Sequence, residues 1–299
     1  MPDEMETAEL NRLWPEMVAL RPEKVVFTGG EPLLRRDIAE LLRGLRTADP
    51  DHHIVRCLNS NGHLVTAELA RELVGLADEV RVSLDAFATR NDGLRGKGNF
   101  AAAMRALETY YAAGFEPKVL ITVTRESLPD LEDLVYFLAE RRLTRLNING
   151  FRPVGRGAAH RDWSVATVEV NTALNRAWAR CYPDRDSRPE PPKQDDFQCT
   201  CGVGRFLNIM PNGDVFPCHV LTQPEFRCGN IREESLLAIC QRRGLLDRLA
   251  SLDFRDLAHT DERLVPLSRC GACMGNVYEI TKDSPAWKEV LPMLAQKCR

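Results

Sequence analysis

No cysteine occurs before Cys57, and no apolar run approaches the roughly 20 residues that a membrane-spanning helix requires. The first absence leaves residues 1–56 without a thiolate for any sulfur-ligated metal. The second leaves no candidate transmembrane segment and predicts no membrane partner. The start, Met1-Pro2-Asp3-Glu4, is acidic and has neither the basic nor the apolar stretch of a secretory signal, so a cytoplasmic protein is expected. An excess of one charge is also lacking. With 40 basic and 43 acidic residues the net charge is -3, which leaves no electrostatic case for nucleic acid or an anionic surface. No internal repeat and no low-complexity tract is present.

What is present is an ordinary globular composition, 44% hydrophobic and 28% charged over 299 residues, long enough for one large α/β domain and a smaller one. The ten cysteines are unevenly placed. Cys57 and Cys181 stand apart, and the other eight lie between Cys199 and Cys298. In a reducing compartment such crowding argues for metal rather than disulfides.

The first half alternates. Leu10, Leu13, Trp14, Met17 and Val18 follow helical spacing. Strand-type runs are expected at 25–28, 54–58, 80–84, 118–123 and 145–149, with helices near 37–46, 66–77, 99–113 and 129–141. Asp37, Thr66 and Asn99 are N-cap types, Gly114 a C-cap, and Pro129 suits a first turn. Strands alternating with helices predict a parallel sheet with right-handed crossovers. The alternation opens on a helix, so the strand that should precede it is missing from this sequence. Residues 150–165 read as a loop and 166–181 as a helix. A Pro-, Asp- and Arg-rich stretch to Gln198 reads as a linker. The expected domains are therefore 1–190 and 191–299.

In the second region, two β-type runs, Phe206–Ile209 and Val215–Phe216, flank the hairpin turn Pro211-Asn212-Gly213-Asp214. A hairpin there brings Cys201 and Cys218 toward one centre. Cys270-Gly271-Ala272-Cys273 supplies a C-x-x-C pair, and four thiolates suit either a 4Fe-4S cluster or a structural zinc. Cys228 reads as a ligand or a packed thiol, Cys240 as a core residue, and His219 as a satisfied or solvated histidine. Cys57, within a buried-type strand, reads as a core thiol.

Ligands of parallel α/β folds bind at the C-terminal ends of strands. Each such end here is polar or glycine-rich: Thr28-Gly29-Gly30-Glu31, Asn59-Ser60-Asn61-Gly62, Ser83-Leu84-Asp85, Thr122-Val123-Thr124 and Asn147-Ile148-Asn149-Gly150. Gly29 and Gly30 allow close backbone approach, Glu31 suits an ammonium group, and Ser83 and Asp85 suit ribose hydroxyls.

Gly29-Gly30-Glu31-Pro32 after an apolar strand resembles the G-G-E-P motif of the radical S-adenosylmethionine enzymes, which contacts the amino group of the cofactor's methionine moiety. Asn59–Gly62 resembles the family's T-N-G turn, Ser83-Leu84-Asp85 its ribose-binding strand end, and Leu94-Arg95-Gly96 the loop that follows. Cys201…Gly213-Asp214-Val215-Phe216-Pro217-Cys218, then Gly229-Asn230-Ile231, resembles the SPASM or shorter twitch extension. The resemblance implies a partial (β/α)6 TIM-like barrel missing its first strand, followed by a small cysteine-rich SPASM/twitch domain with a β-hairpin. It implies S-adenosyl-L-methionine on Gly29, Gly30, Glu31, Pro32, Asn61, Ser83 and Asp85. It also implies one auxiliary 4Fe-4S cluster on Cys201, Cys218, Cys270 and Cys273.

The family's C-x-x-x-C-x-x-C, which holds the cluster that reduces S-adenosylmethionine, is absent from the sequence. The resemblance implies reductive cleavage of the cofactor and hydrogen abstraction from a substrate, a ribosomally made peptide first and a small molecule second. A flavodoxin or ferredoxin would serve as reductant. The competing expectation is a non-catalytic homologue that keeps only the C-terminal iron–sulfur or zinc site and serves as a scaffold. A third is an unrelated α/β protein with a zinc ribbon.

Overall fold

The computed structural model describes residues 3–153, 157, 159–182, 206–242, 278 and 282–283. They fall into two compact units, one of Leu10–Phe151 and Asp162–Glu190, the other of Met1–Glu9, Arg152–Arg161 and Pro191–Arg299.

The larger unit alternates strand and helix. Helix α1 (Thr7–Ala19), most of which lies in this unit, precedes β1 (Lys24–Phe27), α2 (Ile38–Ala48), β2 (Val55–Ser60), α3 (Ala67–Leu73) and β3 (Glu79–Ser83). Then come α4 (Ala88–Arg95), α5 (Asn99–Ala112), β4 (Lys118–Val123), α6 (Leu131–Glu140), β5 (Leu146–Gly150) and α7 (Thr167–Cys181). The five strands pair in parallel in the order β1-β2-β3-β4-β5 and curl into a half-barrel.

Alternation along the strands separates two faces. Phe27, Leu58, Val80, Val82, Val119, Ile121, Val123, Leu146 and Ile148 join the hydrophobic core. The helices meet them with stripes at helical spacing: Ile38 and Leu42 on α2, Ala103, Ala106, Leu107 and Tyr110 on α5, Leu131, Leu134, Val135 and Leu138 on α6. The register places Lys24, Cys57, Asn59, Glu79, Arg81, Ser83, Lys118, Thr122, Asn147 and Asn149 together on the opposite, concave face. That face is polar.

Several local expectations change. Thr66 caps α3, its hydroxyl accepting the Leu69 N–H at 3.1 Å. Asp37 makes no cap bond and pairs instead with Arg35 at 2.6 Å. Asn99 is the first residue of α5 rather than its cap, with its side chain buried. Pro129 sits in a 3-10 turn before α6. Helix α4 has no counterpart among the expected helices, and its last two residues, Leu94 and Arg95, belong to the expected loop Leu94-Arg95-Gly96.

In the smaller unit β6 (Asn208–Ile209) and β7 (Asp214–Phe216) form the expected antiparallel hairpin. An unexpected β8 (Gly229–Asn230) pairs with β7, and α8 (Leu236–Gln241) follows, its cap Ser235 accepting the Ala238 N–H. Cys240 on α8 is half-buried. Residues 3–9 are stitched to this hairpin. Met5, 4% exposed, donates its N–H to the Pro211 carbonyl at 2.8 Å, and the Arg232 guanidinium pairs with both Asp3 and Glu9 at 2.7 Å.

Candidate functional site: the C-terminal rim of the parallel sheet

The expected binding residues Gly29, Gly30, Glu31, Pro32, Asn61, Ser83 and Asp85 all lie at C-terminal strand ends of the larger unit. Glu31 caps the 3-10 turn Pro32–Leu34, one carboxylate oxygen accepting the Leu33 N–H at 3.1 Å. Its other oxygen accepts the Asn61 N–H at 2.7 Å, tying the turn after β1 to the turn after β2. Gly29 has φ +134, a conformation that L side chains rarely adopt, and a Cβ there or at Gly30 would meet nothing within 4 Å. Gly62 also has a positive φ, +86, and is crowded as well. A Cβ would lie 3.0 Å from the Ala103 backbone of α5, so the second turn packs directly on that helix.

From Asn61 a line of hydrogen bonds continues through the interior. The Asn61 carbonyl accepts from the Asn99 side-chain amide at 3.2 Å, whose oxygen accepts from the Asn91 amide at 2.9 Å. The Asn91 oxygen in turn accepts the Asp85 N–H at 2.9 Å. Asp85 is 7% exposed and has both carboxylate oxygens engaged, one by the Thr122 N–H at 2.7 Å and the other by Arg95 Nε. The turns after β1, β2 and β3 and the end of β4 are therefore one connected rim. Each asparagine accepts on one side and donates on the other, which fixes both amide orientations. Ser83 is half-buried on the concave side of this rim. On the same side, the Asn59 amide donates to the Thr28 hydroxyl at 3.3 Å.

Asn91 and Asn99 were not foreseen as site residues. Asn99 carries only a polar type at an expected helix start, which reads as capping, and Asn91 lies where no helix is expected.

At the other end of the concave face the Glu79 carboxylate takes Lys118 at 2.6 Å, Lys24 at 3.3 Å and Arg81. Burial by itself raises this carboxyl. Hydrogen bonds from Lys118 and Arg81, with the charges of Arg81 and Lys24, outweigh it and hold the pKa at about 2. Burial pushes the neighbouring Cys57 thiol up to about 12, the Glu79 charge adding to it against the field of Arg81. Cys57 is fully buried and stays a thiol, as expected of a core residue.

Of the four expected thiolates, Cys218 lies two residues past β7 and is buried. Its sulfur accepts the Val220 N–H at 3.4 Å and lies 3.8 Å from His219 Nδ1, a polar setting that suits a ligating thiolate. His219 also stacks edge-on against Phe206. Cys228 is half-buried near the Phe226 carbonyl. Cys201, Cys270 and Cys273 lie outside the described residues, as do Cys199 and Cys298.

A parallel α/β sheet curled into a half-barrel with a glycine-rich, connected C-terminal rim, followed by a cysteine-bearing hairpin, belongs to the class of folds that take their ligands at the strand ends. The chain belongs to the radical SAM superfamily: its model matches residues 1–149, and that of the SPASM iron–sulfur cluster-binding domain matches residues 199–274. These two domains imply S-adenosylmethionine and iron–sulfur clusters. The mycofactocin maturase MftC of Mycobacterium ulcerans (strain Agy99) is 33% identical over 248 residues, covering 77% of this chain and 64% of that protein. The chain spans less than two thirds of the length of the curated mycofactocin maturases it matches.

Among solved structures, anSMEcpe with bound AdoMet superposes with a TM-score of 0.68 at 15% identity, covering 98% of this chain and 86% of the other. Streptococcus suis SuiB bound to its precursor peptide SuiA gives 0.62 at 17%, covering 92% and 67%. These two likenesses establish the fold, a partial TIM-like barrel followed by a SPASM domain. Among the described residues no helix is long and apolar enough to cross a membrane.

Proposed function

We propose that this chain is the S-adenosylmethionine-binding half-barrel and auxiliary-cluster module of a peptide-modifying radical SAM enzyme of cytoplasmic type. The connected rim carries the reading. It positions open glycine backbone, a capped Glu31 turn and the Ser83 hydroxyl around one sheet edge. The residues fit the cofactor. Gly29 and Gly30 would offer open backbone to its methionine end, and Ser83 would offer a hydroxyl to its ribose. Glu31 and Asp85, whose carboxylates already hold backbone N–H groups, keep these turns in place. Bound there and reductively cleaved, the cofactor would supply the radical that removes a hydrogen atom from a substrate. Asn61 and Pro32 shape the wall between the first two turns.

Cys218, with Cys201, Cys270 and Cys273, would hold one auxiliary 4Fe-4S cluster. The MftC and SuiB likenesses favour a ribosomally made peptide as substrate. Anaerobic reconstitution tests the reading. About four iron and four sulfide per chain, without zinc, are expected, together with saturable S-adenosylmethionine binding. Zinc in place of iron would overturn the cluster, and no cofactor binding would overturn the rim. Lacking C-x-x-x-C-x-x-C, residues 1–299 alone are expected to form no 5′-deoxyadenosine under reduction.

A further inference from the structure

The cluster around Glu79 is not used by the cofactor rim, and its charges do not balance. Among the described residues Lys24, Arg81 and Lys118 all point at a single carboxylate, which leaves two positive charges in excess. A purely structural ion-pair plug would be neutral, because surplus buried charge costs free energy unless an anion completes it. The carboxylate is 7% exposed, whereas Lys24, Lys118 and Arg81 are 33%, 24% and 13% exposed. The anion of the cluster is thus covered while its cations remain within reach. An open cleft of about 580 Å³ adjoins Lys118 and is lined further by Arg145 and Asn147.

We propose that Lys24, Arg81 and Lys118 form a carboxylate-binding site at the N-terminal end of the concave sheet face, holding an acidic group of the substrate. The site rests on the peptide reading above, since carboxylates are the only anions an unmodified peptide carries near neutral pH. Glu79 and Ser83 are the first and last residues of β3. At about 3.3 Å per residue the cluster sits roughly 13 Å below the rim. A substrate anchored by its carboxylate would present to the cofactor a position two to four residues away. Glu79 gathers the three cations and sets their number of free donors.

Titration of the full chain tests this, read on the Arg81 Nε–Hε resonance and assigned by its absence in Arg81→Lys. The probes are N-acetyl-dialanine as the free acid, the same peptide as its amide, N-acetyl-glutamate amide, and sodium phosphate. Saturable shifts with either carboxylate and none with the amide are expected. The terminal acid and the glutamate arm distinguish a peptide C-terminus from an internal acidic side chain. Lys118→Gln and Lys24→Gln should each weaken carboxylate binding about tenfold, the loss of one charge-assisted hydrogen bond, and Glu79→Gln should strengthen it.

Saturation by phosphate alone, no saturation at all, or unchanged binding in both lysine variants would overturn the site. Should Lys118→Gln misfold by circular dichroism, Lys24→Gln, the most exposed of the three, carries the comparison. The titration uses no cofactor. Its failure leaves the S-adenosylmethionine assignment standing, and failure of cofactor binding leaves a positive titration standing.

Discussion

Glu31 reaches across from the turn after β1 to accept the Asn61 N–H at 2.7 Å, so two separate strand ends share one carboxylate. A carboxylate accepts on both oxygens, whereas an amide must turn one NH2 toward a backbone donor. Glu31→Gln should therefore lose one of the two bonds and weaken S-adenosylmethionine binding about tenfold, as measured by equilibrium dialysis. The far-UV spectrum should be unchanged.

The Asn91–Asn99 relay depends on each amide facing one donor and one acceptor. Asn91→Asp places oxygen against the Asn99 oxygen and should destabilise the larger unit by roughly 1–3 kcal/mol. Asn91→Ala and Asn99→Ala should be strongly non-additive in a denaturant-based double-mutant cycle. Additive losses would show two independent hydrogen bonds rather than a relay.

Glu79 gives the fold a defined acid sensitivity. Its carboxyl lies at about 2 in the folded chain against 4.5 unfolded, so its contribution is complete above about pH 4.5. That contribution falls away as pH drops from there toward 2, and amounts to on the order of 1–3 kcal/mol. Chemical denaturation between pH 6 and 3 should show a steeper loss in the parent than in Glu79→Gln.

Tyr110 buries its hydroxyl with no hydrogen-bond partner among the described residues, and burial raises its pKa, with the Glu31 charge adding to the effect. An unpaired buried hydroxyl costs about 1–3 kcal/mol. Tyr110→Phe should leave stability unchanged or raise its denaturation midpoint, where most core substitutions lower it.

Cys218 and Cys57 should separate cleanly in metal content. Cys218→Ser should abolish most of the reconstituted iron and sulfide. Cys57→Ser, at a thiol held protonated by burial, should leave both unchanged in the folded fraction.

The strands were legible because Val, Ile and Leu runs carry a period of two and end in polar turns. The stripes of α2, α5 and α6 were legible for the corresponding reason at helical spacing. Helix α4 was not, because Ala88–Arg95 buries a single residue, and that residue is the polar Asn91. Asn99 resembled a cap because its type favours one, while its position turned the amide inward. β8 is two residues long and leaves no periodic trace. The Glu79 cluster draws on β1, β2, β3 and β4, and residues so far apart in sequence meet only once register is fixed. The strand-end motifs needed no such step, since each sits within a few residues of its own turn.

The stitch between residues 3–9 and the hairpin has a kinetic meaning. Arg232 and Glu9 are 223 residues apart, so this contact closes one of the longest loops the chain can form. During synthesis from the N-terminus, Met5 must wait for Pro211 before its backbone donor is paired and its side chain covered. The larger unit draws mainly on neighbouring segments and gains its contacts earlier. Folding of the hairpin unit should therefore be late and sensitive to whatever is fused ahead of Asp3.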